Sequence, residues 1–300
     1  MPSNLIKFAK GLITPESLTV SGSLTPKQSK TIVSAIKKNN KFLSKVNYVT
    51  MNSLQRFVDA YDIAEGVLVR VAEGTEPTDE QKQAYANLGC TLNALKVQLF
   101  ADVTRSALED NADNPKLENF LFDGFTTRFG NELVKLGFEG VGDTGADFAH
   151  LNTGWLQVAT DSADVPKDTY TAETEGQVDR LTKLVAKLDA DAKGPSTSLL
   201  MSWADWEAYI LELGGDNQAA MIIAEGKTKT FMGYPVEVSK YMPAGTYFAT
   251  PLNNLAFGIS TAVYRGREWN ARKRCLEYTF DLGCDYEIVI KKWAALVTEA

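Results

Sequence analysis

Leu117, Leu121, Phe125, Phe129, Leu133 and Leu136 recur at intervals of three and four residues through one uninterrupted stretch. A strand cannot gather that spacing on one face, whereas an α-helix stacks positions i, i+3 and i+4. The stripe predicts an amphipathic helix over 115–136, roughly six turns long. Asn114 suits the cap, Pro115 the first turn, and Gly137 offers a stop. A helix this long with one apolar stripe acts as a strut.

The second period in the sequence is two. From Leu276 to Ile290 the chain alternates more cleanly than anywhere else. Leu276, Tyr278, Phe280, Leu282, Cys284, Tyr286, Ile288 and Ile290 fall on one face. Glu277, Thr279, Asp281, Asp285 and Glu287 fall on the other. "VLVRVAEG" (67–74) and "TLNALKVQLFADVTR" (91–105) also alternate, with Leu95, Val97 and Leu99 sharing a face. They flank a polar tip and predict an extended hairpin. Such a ribbon is marginal alone in water, so it needs a partner surface.

Shorter signals fill in the rest. A helix opens at Thr25-Pro26-Lys27-Gln28, with Ile32, Val33, Ile36, Phe42, Leu43 and Val46 on its apolar side. Another buries Val178, Leu181, Leu184, Val185 and Leu188. Leu199–Met201 and "AMIIAEG" (220–226) read as short buried strands. Between them Ser202 and Asp205 cap a helix that ends at Gly214-Gly215. "FMGYPVEVSKYMPAGTYFATPLNNLAFGI" (231–259) spells two strands, a tight turn and an asparagine pair. Strands toward both ends with helices between them define an α+β class.

Length and charge narrow the use. At 300 residues and 44% hydrophobic, the chain can bury a large core as one domain or as two interwoven ones. No apolar run approaches the ~20 residues that span a bilayer, and the start "MPSNLIKFAKGLITPESL" lacks the features of a signal peptide. Cys90, Cys275 and Cys284 are too few and too scattered for a disulfide framework, which points to a reducing cytoplasm. The net charge of −7 argues against sequence-reading of nucleic acid, which needs a cationic surplus.

Candidate chemistry is sparse. "GVGDTG" (140–145) matches GxGxxG, but a long helix precedes it and no helical periodicity follows, so it reads as a flexible turn. His150 is the sole histidine, and no GxSxG elbow accompanies it. Glu277, Asp281, Asp285 and Glu287 share a strand face and could form paired carboxylates. Neighbouring like charges instead favour a solvated or interface-facing strand. "RGREWNARKR" (265–274) packs five basic residues into ten. In an acidic chain, Arg265, Arg267, Arg272 and Arg274 are expected to meet carboxylates of a neighbouring copy. No catalytic, cofactor-binding or metal-ligating set is expected.

In order and motif, these elements resemble the major capsid protein of tailed bacteriophages, the Hong Kong 97-type fold, with temperate myophage capsid proteins nearest in character. "ELVKLGFEGVGDTGADFAHLNTGWLQVA" (132–159) is similar to that family's spine-helix end, "GFNG"-like turn and "NKGWLQ"-like segment. Residues 231–259 are similar to its "GyPV" strand, "mP.g" turn and "tpl.NL.i" strand. The resemblance covers roughly residues 60–295.

It implies an N-terminal arm and helix over 1–60 and an extended β-hairpin loop over 61–105. A peripheral domain over 106–165 and 255–300 would carry the spine helix 115–136, and an axial domain would span 166–254. Hexamers and pentamers would tile an icosahedral shell around double-stranded DNA, bound without sequence preference, in a virion assembled in the host cytoplasm. Scaffolding, portal and decoration proteins are candidate partners. Val67, Val69, Val97 and Leu99 on the hairpin, with the four arginines, are the candidate inter-subunit contacts. An encapsulin-like bacterial compartment shares the fold and is the first alternative. A carboxylate enzyme using the Glu277–Glu287 face is a remoter one. It requires a concave pocket there and a raised carboxylate pKa.

Overall fold

In the computed structural model, the described residues are 22–23, 33–38, 40–62, 70, 74–76, 78, 86–110, 117–142, 145, 147–214, 229–261 and 263–300. The expected helix start at Thr25, most of the first hairpin strand (including Val67 and Val69) and the strand over 220–226 lie outside them. The strands are β1 (Gly22–Ser23), β2 (Asn47–Met51), β3 (Gln55–Val58), β4 (Tyr61–Asp62), β5 (Ala86–Asn87), β6 (Cys90–Asn93), β7 (Leu95–Thr104), β8 (Lys167–Tyr170), β9 (Thr197–Ser202), β10 (Thr230–Phe231), β11 (Tyr234–Ser239), β12 (Tyr247–Pro251), β13 (Leu255–Ser260), β14 (Tyr264–Asn270), β15 (Cys275–Ile288) and β16 (Ala295–Glu299).

The first sheet runs β1-β14-β15-β13-β2, with β7 on the opposite edge of β15. β15 is the alternating stretch read from sequence. Leu276, Tyr278, Phe280, Leu282, Cys284, Tyr286 and Ile288 are all buried in the main core, while Ile290 lies past the strand end. The long helix, Leu117–Glu139, lies against this apolar face. Phe129, Leu133 and Leu136 are buried there, and Phe125 packs at 5.3 Å from the Tyr278 ring and 6.2 Å from Phe280.

The helix does not stop at Gly137. A Cβ at that position would sit 2.4 Å from the Trp155 ring, so the glycine serves a close approach and the helix continues to Glu139. Sequence periodicity also extended the first helix too far. Helix covers 33–38, and a turn over 41–45 follows. Asn40 builds that turn by accepting the amides of Phe42 (3.0 Å) and Leu43 (3.2 Å) and donating to Asn131 (3.1 Å) on the long helix. Phe42, Leu43 and Val46 reach the core from this turn rather than from a helical stripe.

The second sheet runs β10-β11-β9-β12-β16-β8. It is a middle layer. Leu200, Phe248 and Leu296 face the main core, while Leu199, Met201, Tyr247, Ala249, Ala295 and Val297 face the helices Gln177–Lys187 and Trp203–Gly214. β16, at the end of the chain, pairs antiparallel with β12 and parallel with β8. Ser202 caps its helix as read, accepting the Asp205 amide at 3.1 Å.

The hairpin differs most from expectation. β3 pairs with β6 and β4 with β5, so the ribbon starts at Gln55 and returns by Asn93. β7 is not its descending arm. It runs antiparallel to β15 from Leu95↔Cys284 to Thr104↔Cys275. The base of the ribbon rests on the first sheet through a small third core of Val49, Met51, Cys90, Leu92, Ala94, Ala256 and Val289.

Candidate assembly interface

The motif segments act as internal fasteners. Trp155 is enclosed by Phe42, Phe138 and Tyr286, at 5.9, 5.7 and 5.0 Å between ring centroids, and its indole N–H donates to the Ala256 carbonyl at 2.9 Å. Asn152 donates to the Cys284 carbonyl at 2.7 Å. Gly154 lies so close to the helix end that a Cβ would meet the Gly137 carbonyl oxygen at 2.6 Å. Asn254 donates to the Ile290 carbonyl and accepts its amide, at 2.9 and 2.8 Å, fixing the segment that leads into the second sheet. These residues hold layers together and are buried away from solvent.

The glycine turn and the histidine belong to each other. His150 Nδ1 lies 2.9 Å from the Gly142 carbonyl oxygen, and Gly145 leaves no room for a side chain against the imidazole. A phosphate loop would aim free backbone amides at a ligand. Here the Gly140 amide bonds to Leu136 O and the Gly142 amide to Asn152 O.

The carboxylate face divides into two environments. Glu277 accepts hydrogen bonds from Lys273 and Asn270, each at 3.0 Å, and these hold its carboxyl below the usual range. Asp102, Cys275 and Glu277 bring three possible ligand atoms within 4.8 Å of one another, with the Lys273 ammonium already seated at Glu277. Farther along β15, burial pushes the Asp285 carboxyl up to about 6 and raises Glu287.

Glu287 lines an open cleft of about 650 Å³ with Cys90, Asp164, Lys291 and Lys292. The enzyme alternative required a cleft and a raised carboxylate, and both are present. Yet Asp285 spends an oxygen on the Asn93 amide at 2.5 Å, and burial drives the Cys90 thiol up to about 12, far from a thiolate. The arrangement anchors chain segments.

Of the expected contact residues, Val97 is enclosed by its own chain, which corrects the reading of an unpartnered hairpin face. Leu99 is half-buried and lines, with Phe129, Leu133, Leu136 and Leu151, a groove of about 250 Å³ beside the long helix. The basic stretch is split. Arg265 and Arg267 lie in β14, in register with Phe280 and Tyr278 of β15, and the Arg267 guanidinium lies 5.9 Å from the Tyr278 ring. Arg272 and Arg274 are exposed on the tight turn 271–274, with Arg274 at φ 54°. The turn begins where β14 ends, directly after Asn270. Asn270 caps it by accepting the amides of Arg272 and Lys273, each at 3.1 Å.

The most exposed apolar side chains were missed in the sequence. Phe100 is 65% exposed on the outward face of β7, opposite Thr279. Leu54, Phe57 and Leu95 are exposed around the ribbon base, and Tyr264 lies on β14. On the second sheet's side, Leu211 is 78% exposed, as is Met232 at 66%, held at φ 49° in the β10–β11 turn. The even positions of β7 gave a usable signal, because Phe100 sits in phase with Lys96, Gln98 and Asp102. Apolar side chains left outward on a sheet face and ribbon base suit contact with other protein.

The fold recurs in known shells. The procapsid of satellite phage P4 with its size-determination protein aligns with a TM-score of 0.68 at 14% identity, covering 90% of this chain and 99% of that one. The capsid of an empty GTA particle aligns at 0.60 and 14% identity, covering 87% and 90%. A virus-like particle from Pyrococcus furiosus aligns at 0.53 and 9% identity, covering 90% and 98%. No curated protein sequence matches significantly. The profile of the Phage capsid family spans residues 22–275. With that span and the Hong Kong 97-type architecture, the chain belongs to the phage capsid family and is a major capsid protein of the tailed-phage kind.

Proposed function

We propose that copies of this chain associate as hexamers and pentamers and close an icosahedral phage head around double-stranded DNA. The observation that carries this reading is the exposed apolar side chains, Leu54, Phe57 and Leu95 around the base of the two-stranded ribbon and Phe100 on the outward face of β7. Water disfavours such a set, and a repeated neighbour would cover it. The ribbon and β7's outward face are the surfaces assigned to copy–copy contact, and Arg272 and Arg274 meet carboxylates across the seam. No reaction is assigned to the chain. Its output is geometry, built from modest contacts repeated by symmetry. Scaffold, portal and decoration proteins are the further partners of this reading, with assembly in the host cytoplasm and residence in the virion. A net charge of −7 suits a wall that must not grip DNA tightly.

Electron microscopy of the purified chain tests the proposal. Ring-shaped capsomers or closed shells are the expected result. A chain that stays monomeric, alone and in lysates of phage-producing cells, overturns it. Particles that enclose protein cargo and no nucleic acid would instead support the compartment reading.

A further inference from the structure

The ribbon joins the body at one compact place. Gly258 on β13 has no room for a Cβ, because Met51 Sδ and Leu92 Cδ1 would lie 2.7 and 3.0 Å away. Beside this contact the Asp285 carboxyl, only 8% exposed, accepts the Asn93 amide where β6 ends and β7 begins. We propose that the ribbon base is a proton-tuned joint, in which the charge state of Asp285 sets how firmly the two-stranded arm is held to the first sheet. The joint is a property of a single copy and does not rest on assembly.

The groups around it define the sign. β6 presents the Asn93 amide and the Cys90 thiol, and β15 presents the Tyr286 amide and the Glu287 carboxyl. Lys291 counters Glu287 and Cys90 from the following turn, while Asp164 and Lys292 line the cleft beyond. β13 and β2 bring Ala256, Gly258, Val49 and Met51, which carry no charge. Two amides favour the carboxylate. Burial and the neighbouring Glu287 oppose it and prevail, placing Asp285 at about 6 against an ordinary 3.8.

A closed joint therefore binds the proton more tightly than an open, solvated one. The stabilisation is complete below about pH 4 and is lost as pH rises through about 6. Between about pH 5 and about pH 7.5, linkage gives roughly a tenfold increase in the opening equilibrium.

Hydrogen exchange of the unassembled full chain, corrected for intrinsic rates, reads this at the amides of Leu88, Asn93 and Ala94. Opening about tenfold more frequent at the higher pH is expected there, with the buried turns of the long helix unchanged. Asp285→Asn keeps the shape and removes the more deeply buried carboxyl, leaving Glu287, so most of the slope should disappear. Glu287→Gln should keep the dependence, since Asp285 still titrates. A flat wild-type profile, or a slope that Asp285→Asn leaves undiminished, overturns the joint. So does a slope that Glu287→Gln abolishes.

Discussion

Gly137 and Gly124 sit on the same helix and answer opposite demands. At Gly137 a methyl group would strike the Trp155 ring, while at Gly124 nothing lies within 4 Å. Gly137→Ala must therefore displace the ring that Phe42, Phe138 and Tyr286 enclose, and overpacking of this kind costs about 1–3 kcal/mol. Gly124→Ala meets no neighbour and gains helix propensity, about 0.5–1 kcal/mol of stabilisation. Urea unfolding should move the two midpoints in opposite directions. Equal shifts would mean that the Trp155 contact is not decisive. From sequence, Gly137 looked like a helix stop, because a glycine kept for a distant ring and a glycine ending a helix are written identically. Asn152, Trp155 and Asn254 were legible as motif positions, but their partners, the Cys284, Ala256 and Ile290 carbonyls, lie 36 to 132 residues away.

Among the elements, β7 carries the sharpest division of labour. Val97, Leu99, Ala101 and Val103 face the core, and Lys96, Gln98, Phe100 and Asp102 face outward. A Phe100→Asp substitution should leave the unassembled chain folded, with a melting temperature near wild type, because the ring is mostly in water already. Assembly should fail, since a carboxylate would be buried without a partner in the seam. Light scattering together with melting curves separates the outcomes. Normal assembly by a stable Phe100→Asp chain would remove β7 from the interface. Periodicity located β7 and β15 well, since each has one wet and one dry face. The break at Ala94 between ribbon and sheet is a change of phase, with Cys90, Leu92 and Ala94 inward before it and Val97, Leu99, Ala101 and Val103 inward after it, and a reading of one continuous strand passes over it. β16 was hidden for a different reason. Its first three residues are buried on both sides, and its parallel partner β8 lies more than a hundred residues earlier.

At the scale of the molecule, the second sheet binds two cores into one folding unit. Phe248 points into the main core while Tyr247 and Ala249, its neighbours, point into the other. Truncating a buried phenylalanine costs about 3–5 kcal/mol. Phe248→Ala should accordingly weaken the long-helix side and the Gln177–Lys187 side together. Exchange at Leu133 and Leu184 should accelerate in parallel. Protection lost on one side alone would mean that the two cores unfold separately.

Closure of a shell asks a different question, because a subunit of charge −7 repels its copies and the repulsion must be offset where they touch. Arg272 and Arg274 are placed for that task. They stand on a four-residue turn at the end of β14, while Lys273 between them is already paired with Glu277. Reversing both, Arg272→Glu with Arg274→Glu, adds four units of negative charge per copy at one seam. The Asn270 cap uses backbone amides and survives the change, so the monomer should keep its circular dichroism spectrum and melting temperature. Assembly should be blocked near physiological ionic strength and partly recovered at high salt, where opposed charges are screened within about 3 Å at 1 M. A matching Asp→Lys or Glu→Lys change on the contacting copy should restore it at ordinary salt, because opposite charges across an interface also set register. Shells that close normally with both arginines reversed, yet differ in how tightly they retain nucleic acid, would place the turn on the lumen side and end the seam assignment.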